Sequence, residues 1–282
     1  MAATLIDGKA LAAKMKREVR AGAEALPRKP GLAVILVGDD PASRVYVTSK
    51  RKDCEECGFY SEEYALPAST SQKELLDLVA GLNGRADIDG ILVQLPLPRG
   101  LDEREVLLAI DPVKDVDCFH PYNVGQLTIG TPVFQPCTPG GVMEMLREYG
   151  IDPAGKRCVV LGRSNIVGKP MALLLLHAHG TVVMCHSKTP DLKELAASAD
   201  ILVSAVGRTG LVTADMVKEG AVVIDVAMNR NAAGKLCGDV CFEEAAEKAA
   251  YITPVPGGVG PMTRAMLMKN TLTAAVLHQG MK

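Results

Sequence analysis

Hydrophobic and polar positions alternate along this chain in blocks of two kinds. Residues 10–25 space their apolar side chains as a helix does, and residues 32–37 form a short Val- and Ile-rich run, the pattern of a buried strand. Asp40-Pro41 opens a further helix, because Asp caps an N-terminus and Pro suits the first helical position; Gly58 stops it. Residues 71–82 predict a helix. Residues 90–94 predict a strand that ends in Leu95-Pro96-Leu97-Pro98, where the prolines take the chain out of any central strand. Residues 101–110 return to helical spacing.

From residue 111 to residue 141 the period is lost among Pro, Gly and polar residues. A stretch that long is expected to be functional or to connect domains. A helix over 141–149 follows. Strand–helix units come next: 158–161 with 170–179, 181–185 with 191–197, then strands at 201–205 and 222–226. A last helix over 263–279 is expected to return to the first domain. The order predicts an α/β protein of two domains, a substrate domain with its own α/β sheet and a Rossmann-like, doubly wound parallel sheet, with a cleft between them.

Within the second half, Val159-Val160-Leu161-Gly162-Arg163-Ser164-Asn165-Ile166-Val167-Gly168-Lys169-Pro170 carries the strongest signal. An apolar strand stops at a glycine, passes through small polar residues and restarts as a helix. Unpaired N–H groups at a helix N-terminus can hold phosphate. Gly162 allows close backbone approach, and the charge of Arg163 can pair with a further phosphate. The segment departs from G-x-G-x-x-G, since a serine stands where the second glycine would be. It therefore reads either as a site for a phosphorylated dinucleotide or as an ordinary strand-to-helix turn.

Composition narrows the classes. The chain has 282 residues, 48% hydrophobic and 23% charged, which suits a globular protein with a sizeable core. A net charge of -2 without a basic tail argues against nucleic acid as a partner. No apolar run approaches the roughly 20 residues that cross a bilayer, and the N-terminus lacks a secretory pattern, so no membrane is expected and the location is expected to be cytoplasmic. The eight cysteines are expected to be reduced, mostly as isolated buried thiols. Cys54 and Cys57 have knuckle spacing but lack a matching second pair, so no metal is expected.

Tyr46 and Lys50 fall one turn apart on one helix face. An amine beside a phenol is a candidate proton-transfer pair, provided the lysine titrates below its usual value of about 10.4. Burial or the adjacent cations of Ser49-Lys50-Arg51-Lys52 would depress it; a solvated basic face is the plainer alternative. Gln94 ends a strand at its carboxyl edge, where open α/β sheets place ligand groups. Asp115 and Asp117 lie in an irregular loop, and a carboxylate there can accept paired N–H bonds from an amino-substituted heterocycle. Residues 254–263, Pro-Val-Pro-Gly-Gly-Val-Gly-Pro-Met-Thr, hold too many glycines and prolines for regular structure. They read as a fixed wall of a cleft or as a linker.

Taken in order, these motifs resemble the bifunctional methylenetetrahydrofolate dehydrogenase/cyclohydrolase family of one-carbon metabolism. The resemblance runs nearly end to end, through Val37 to Ser43, Tyr46 to Lys50, Asp89 to Pro98, Lys114 to Asp117, Pro136 to Pro139, Gly162 to Gly168 and Pro254 to Thr263. It implies oxidation of 5,10-methylenetetrahydrofolate with NADP, then hydrolysis of the methenyl product to 10-formyltetrahydrofolate. It implies a folate-binding catalytic domain over 1–137, joined by 264–282, and an NADP-binding domain over 138–263. Lys50 is then the acid/base, Tyr46 packs on the folate, Gln94 holds Lys50 and Asp117 anchors the pterin. Leu95, Pro96, Pro256, Gly257 and Gly258 line the folate site. Gly162, Arg163, Ser164, Ser187 and Met228 contact NADP, and the missing acidic ribose clamp favours NADP over NAD. The resemblance also implies a homodimer.

Cys118, Ala227 and Arg264 depart from the family's usual residues. Cys118 is expected to narrow the loop by the pterin, and Arg264 to lie near the folate tail or face solvent. The rival functions are a dehydrogenase with little hydrolysis, a nucleotide sensor without turnover, and an unrelated Rossmann-type dehydrogenase.

Overall fold

The apolar runs pair into two parallel sheets in this computed structural model, which describes residues 3–280. The first two residues of the N-terminal stretch and the last two of the expected 264–282 segment lie outside the described residues. In chain order the elements are β1 (Thr4–Leu5), α1 (Gly8–Glu24), β2 (Gly31–Val37), α2 (Pro41–Cys57), β3 (Tyr60–Leu66), α3 (Gln72–Asn83), β4 (Gly90–Val93), α4 (Glu103–Ala109), α5 (Pro121–Thr128) and α6 (Cys137–Glu148). There follow β5 (Arg157–Leu161), α7 (Gly168–His177), β6 (Thr181–Cys185), α8 (Leu192–Ala197), β7 (Ile201–Ser204), β8 (Val222–Asp225), β9 (Asn229–Arg230), β10 (Leu236–Cys237), α9 (Phe242–Lys248), β11 (Tyr251–Ile252) and α10 (Val259–His278).

The chain forms two compact units. One holds the residues up to Ala12 with Thr138–Thr263; the other holds Ala13–Cys137 and the residues from Arg264 onward. The N-terminal segment thus departs from the expected 1–137 grouping. The reason is pairing: Thr4 and Leu5 lie parallel to Tyr251 and Ile252, so β1 is the edge strand of the other unit's sheet.

In the unit of residues 13–137, the sheet order is β3-β2-β4, all parallel. Every residue of central β2 is buried. Ile35 and Val37 pack with Ile91 and Val93 of β4 and with Leu75 and Val79 of α3. The predicted caps form. Asp40 accepts from Ser43 N, Gly58 takes φ 74° to close α2, and Ser71 and Glu74 complete a capping box on α3. Strand β3 escapes the hydrophobic pattern because it is an edge strand, where Glu62 and Glu63 remain partly in water. The expected irregular stretch over 111–141 is partly helical: α5 starts at Pro121 under a His120 cap, and α6 starts at Cys137. Helix α5 is short and contains Gly125, which hides its period.

In the other unit, the sheet order is β1-β11-β8-β7-β5-β6, parallel throughout. Strand β5 lies between β6 and β7, so the chain reverses direction across the sheet at the carboxyl end of β5. That is where doubly wound sheets bind ligands. Val159, Leu161, Leu202, Val223 and Ile252 fill the core. The short β9–β10 hairpin, α9 and the two-residue strands gave no periodic signal. No helix among the described residues is long and apolar enough to cross a membrane.

Candidate active site and nucleotide cavity

Helix α2 carries Tyr46 and Lys50 one turn apart. Tyr46 is 38% exposed, whereas Lys50 is half-buried. Lys50 Nζ donates to Gln94 Oε1 at 2.9 Å, and Gln94 Nε2 donates to Leu95 O at 2.8 Å. The second bond decides which end of the amide meets the lysine. Gln94 itself is fixed through its N–H, which donates to Ile35 O at 2.8 Å. Leu95 is half-buried and Pro96 exposed in the turn that leaves β4.

Burial drives the proton affinity of Lys50 below its ordinary value, opposed by the negative charge of Asp117 and assisted by Arg264. Burial pushes the Asp117 carboxyl up, against the pull of Lys50 and a hydrogen bond with Cys137. Each group leans toward its neutral form, the state in which an amine can take a proton. The sequence assigns the helping charge to Arg51 and Lys52. Their side chains are exposed instead, because adjacent residues on a helix point about 100° apart. The cation that acts on Lys50 is Arg264, on α10.

Asp115 and Asp117 have different surroundings. Buried Asp115 accepts from Phe119 N at 3.1 Å, His120 N at 2.8 Å and Asn123 Nδ2 at 2.8 Å, and so ties its loop together. Asp117 stays beside Lys50 and Cys137. Between them Cys118 takes φ 64°, a left-handed conformation that glycine adopts more easily. Its buried thiol donates to Phe134 O at 3.5 Å, so the side chain points inward. Asn270 on α10 holds the same region, donating to Val116 O and Gln135 O, each at 2.8 Å. Nothing in the local sequence marked Asn270, since it acts across more than a hundred residues.

Arg264 lies neither free in solvent nor unengaged. It donates to Asp53 Oδ2 at 2.8 Å, while Lys16 donates to Asp53 Oδ1 at 2.9 Å. Asp53 is buried on α2, one turn beyond Lys50. Six of the eight thiols are buried; Cys237 and Cys241 are half-exposed.

In the other unit, Gly162, Arg163, Ser164 and Ser187 line one cavity of about 290 Å³, together with His186 and Arg208. Gly162 takes φ 116°, and a Cβ there would lie 2.4 Å from Ala205 O. The first turn of α7 is not open as the sequence predicts. Ser164 Oγ accepts from Val167 N at 3.1 Å and Gly168 N at 3.2 Å, and Ser164 O accepts from Lys169 N at 3.0 Å. A serine in place of the fingerprint's second glycine can cap its own helix, which a glycine cannot. Anion binding then falls to the side chains around the cavity. No acidic residue lines it, so it suits a dinucleotide with an extra phosphate. Arg208 had escaped notice because no motif surrounds it.

A second cavity of about 290 Å³ lies in the same unit and includes Lys156, Asp200, Lys218 and Tyr251 in its lining. None of the candidate residues reaches it, and Lys218 already pairs with Asp200 at 2.5 Å. Met228 is not part of the lining of the nucleotide cavity, and its Cε is 3.0 Å from where a Cβ on Gly260 would be. The segment from Pro254 is built as a fixed path. Gly257 takes φ 108° and its carbonyl accepts from Lys9 N at 3.0 Å; Gly258 N donates to Pro254 O at 2.9 Å. Pro256 is exposed, and a Cβ on Gly258 would lie 2.6 Å from Pro254 O.

Residues 6–117 match the family model described as tetrahydrofolate dehydrogenase/cyclohydrolase, catalytic domain, and residues 136–279 match that family's NAD(P)-binding domain. The bifunctional protein FolD of Ruminiclostridium cellulolyticum is 58% identical over 284 residues, covering 100% of both chains. The bifunctional FolD methylenetetrahydrofolate dehydrogenase/cyclohydrolase of Campylobacter jejuni is similar in structure, with a TM-score of 0.96 at 52% identity over 97% of this chain and 99% of that one. The Trypanosoma brucei FolD structure, complexed with NADP cofactor and inhibitor, gives a TM-score of 0.93 at 44% identity over 98% of each chain.

Proposed function

The chain belongs to the tetrahydrofolate dehydrogenase/cyclohydrolase family, and we propose from that premise that it oxidises 5,10-methylenetetrahydrofolate with NADP and hydrolyses the methenyl product to 10-formyltetrahydrofolate. One observation carries this reading: a half-buried lysine of lowered proton affinity, hydrogen-bonded to a neutral amide and facing an acid. A nucleotide sensor has no use for such a set.

In the hydrolytic reaction the substrate is a cation. An ammonium about 4 Å from it would be repelled by about 4 kcal/mol at an effective dielectric of about 20. A neutral Lys50 avoids that cost and holds a lone pair. Its amine takes a proton from the water whose oxygen bonds to the methenyl carbon. The bond from that carbon to N5 then breaks, Lys50 returns the proton to N5, the hydroxyl proton leaves to solvent, and the formyl group stays on N10. Gln94 orients the amine without adding charge. Asp117 accepts from the amino-substituted edge of the pterin, Tyr46 packs on the folate, and Leu95 and Pro96 shape the turn beside Gln94. Pro256, Gly257 and Gly258 present backbone to the folate.

Gly162, Arg163, Ser164 and Ser187 would hold the NADP, with Met228 towards its nicotinamide. Bound there, it supplies the hydride acceptor of the first reaction. The family resemblance supports a cytoplasmic location and a homodimer, and light scattering on the purified protein tests the dimer.

The decisive assay follows methenyl absorbance after mixing the protein with methylenetetrahydrofolate and either NADP or NAD. Methenyltetrahydrofolate is supplied separately to follow its hydrolysis. Oxidation with NADP and hydrolysis are both expected. Oxidation with neither cofactor overturns the reading, and oxidation without hydrolysis reduces it to a dehydrogenase.

A further inference from the structure

Asp239 lies between β10 and α9 and is wholly buried. Its Oδ2 accepts from Ser204 Oγ at 2.9 Å, Val206 N at 2.8 Å and Gly207 N at 3.2 Å. Its Oδ1 accepts from Arg208 N at 2.6 Å and Asn229 Nδ2 at 3.0 Å. Asp225 in turn accepts from Asp239 N at 3.1 Å and Val240 N at 2.8 Å, which fixes the backbone that carries Asp239. One buried carboxylate therefore clamps the loop after β7 and also the residue that follows Met228.

An exposed loop does not need such a clamp for its own stability. Burying a carboxylate is costly unless its lone pairs are satisfied, and here backbone N–H groups from consecutive residues satisfy them. What the clamp achieves is a fixed starting point for the Arg208 side chain. Gly207 takes φ 75° immediately before it, so the loop turns sharply at that point. Arg208 is exposed and lines the same cavity as Arg163 and Ser187. A guanidinium fork matches a phosphate in two parallel bonds, and its value rises when it need not be ordered on binding.

We propose that Arg208 is a specificity residue for the phosphate that distinguishes NADP from NAD, and that Asp239 is the positioning residue that holds its loop. This rests on the NADP reading above. A guanidinium lying over the adenine face would serve both dinucleotides alike, so the two placements differ in what they discriminate.

The test is direct binding by calorimetry, on the full-length protein without folate, using NADP, NAD, 2′,5′-ADP and 5′-AMP. Arg208→Gln, on an exposed side chain, is expected to weaken NADP and 2′,5′-ADP by about tenfold to a hundredfold, the range of a charge-assisted hydrogen bond. NAD and 5′-AMP should be unaffected. Arg208→Lys should recover part of the loss, because it keeps the charge without the fork. Asp239→Asn should weaken NADP selectively in the native background and add no selective loss to Arg208→Gln. Equal weakening of NADP and NAD by Arg208→Gln, or no weakening of either, overturns the proposal. A folded native protein that binds no NADP overturns the dinucleotide reading itself, so the two failures are distinguishable.

Discussion

Lys50 Nζ and Gln94 Oε1 lie 2.9 Å apart, a hydrogen bond between an amine and an amide rather than an ion pair. The distinction matters because a carboxylate at position 94 would hold the lysine charged. Gln94→Glu is nearly isosteric and adds one negative charge beside the amine. It should cut hydrolysis of supplied methenyltetrahydrofolate at neutral pH by at least about tenfold and move the acidic limb of its pH–rate profile upward. An unchanged limb would mean that Lys50 does not act as a base.

Lys50→Met keeps the length of the side chain and removes the amine. Hydrolysis should be abolished while circular dichroism and NADP affinity stay as in the native protein. In the native protein, burial lowers the proton affinity of Lys50. The neutral amine is therefore reached at a lower pH than for a free lysine, and the hydrolysis rate should rise with pH to a plateau that begins below about 10.4. Native-like hydrolysis by Lys50→Met would remove Lys50 from the mechanism.

Arg264 touches Asp53, one helical turn from Lys50, and its charge lowers the proton affinity of that lysine. Arg264→Met should shift the acidic limb of hydrolysis to higher pH, because a repelling cation is gone. Arg264→Lys should leave the limb in place. Buried Asp53 keeps Lys16 as a partner, so the loss of stability should stay at about 1–2 kcal/mol, less than when a buried ion pair is broken outright. Urea unfolding of both variants separates the two effects.

Gly162→Ala should damage the nucleotide side alone. The added methyl would lie 2.4 Å from Ala205 O, at a φ of 116° that side chains rarely adopt. NADP binding is expected to fall by more than tenfold, with a stability loss of at least about 1 kcal/mol. Lys50-dependent hydrolysis of supplied substrate should persist. Tight NADP binding by the variant would show that this turn does not carry the cofactor.

Asp225 gives a stability signature. Burial pushes its carboxyl up to about 6, against about 3.9 in an unfolded chain. The folded state holds this proton more tightly, so the group's contribution is fullest at low pH and is lost as pH rises through about 6. Asp225→Asn lacks this titration. The stability difference between native protein and variant should therefore shift by roughly 2 kcal/mol toward the variant from pH 4 to pH 7. A difference that stays constant with pH would contradict the raised value.

Helix α2 was legible almost to the residue, because Asp40, Pro41 and Gly58 are capping chemistry written locally. Central strands β2, β5, β7 and β8, and the buried edge strand β4, were legible for a similar reason, since burial on both faces demands continuous apolar runs. Edge strand β3 and helix α5 were not, because exposure or shortness removes the period. The spacing of Tyr46 and Lys50 and the position of Gln94 at a strand end were also visible in the sequence.

The amino-acid order by itself determined the buried strands and the longer helices, where α2 begins and stops, and which chemical groups the chain carries in each half. Tertiary structure alone decided that Thr4 and Leu5 pair with Tyr251 and Ile252, and that Arg264, not Arg51 or Lys52, supplies the positive charge near Lys50. It also decided that Asp239 reaches the loop of Arg208. The division follows the range of the forces. Capping and periodicity act within one or two turns of chain, whereas strand pairing, burial and the field of a charge depend on residues that only folding brings together.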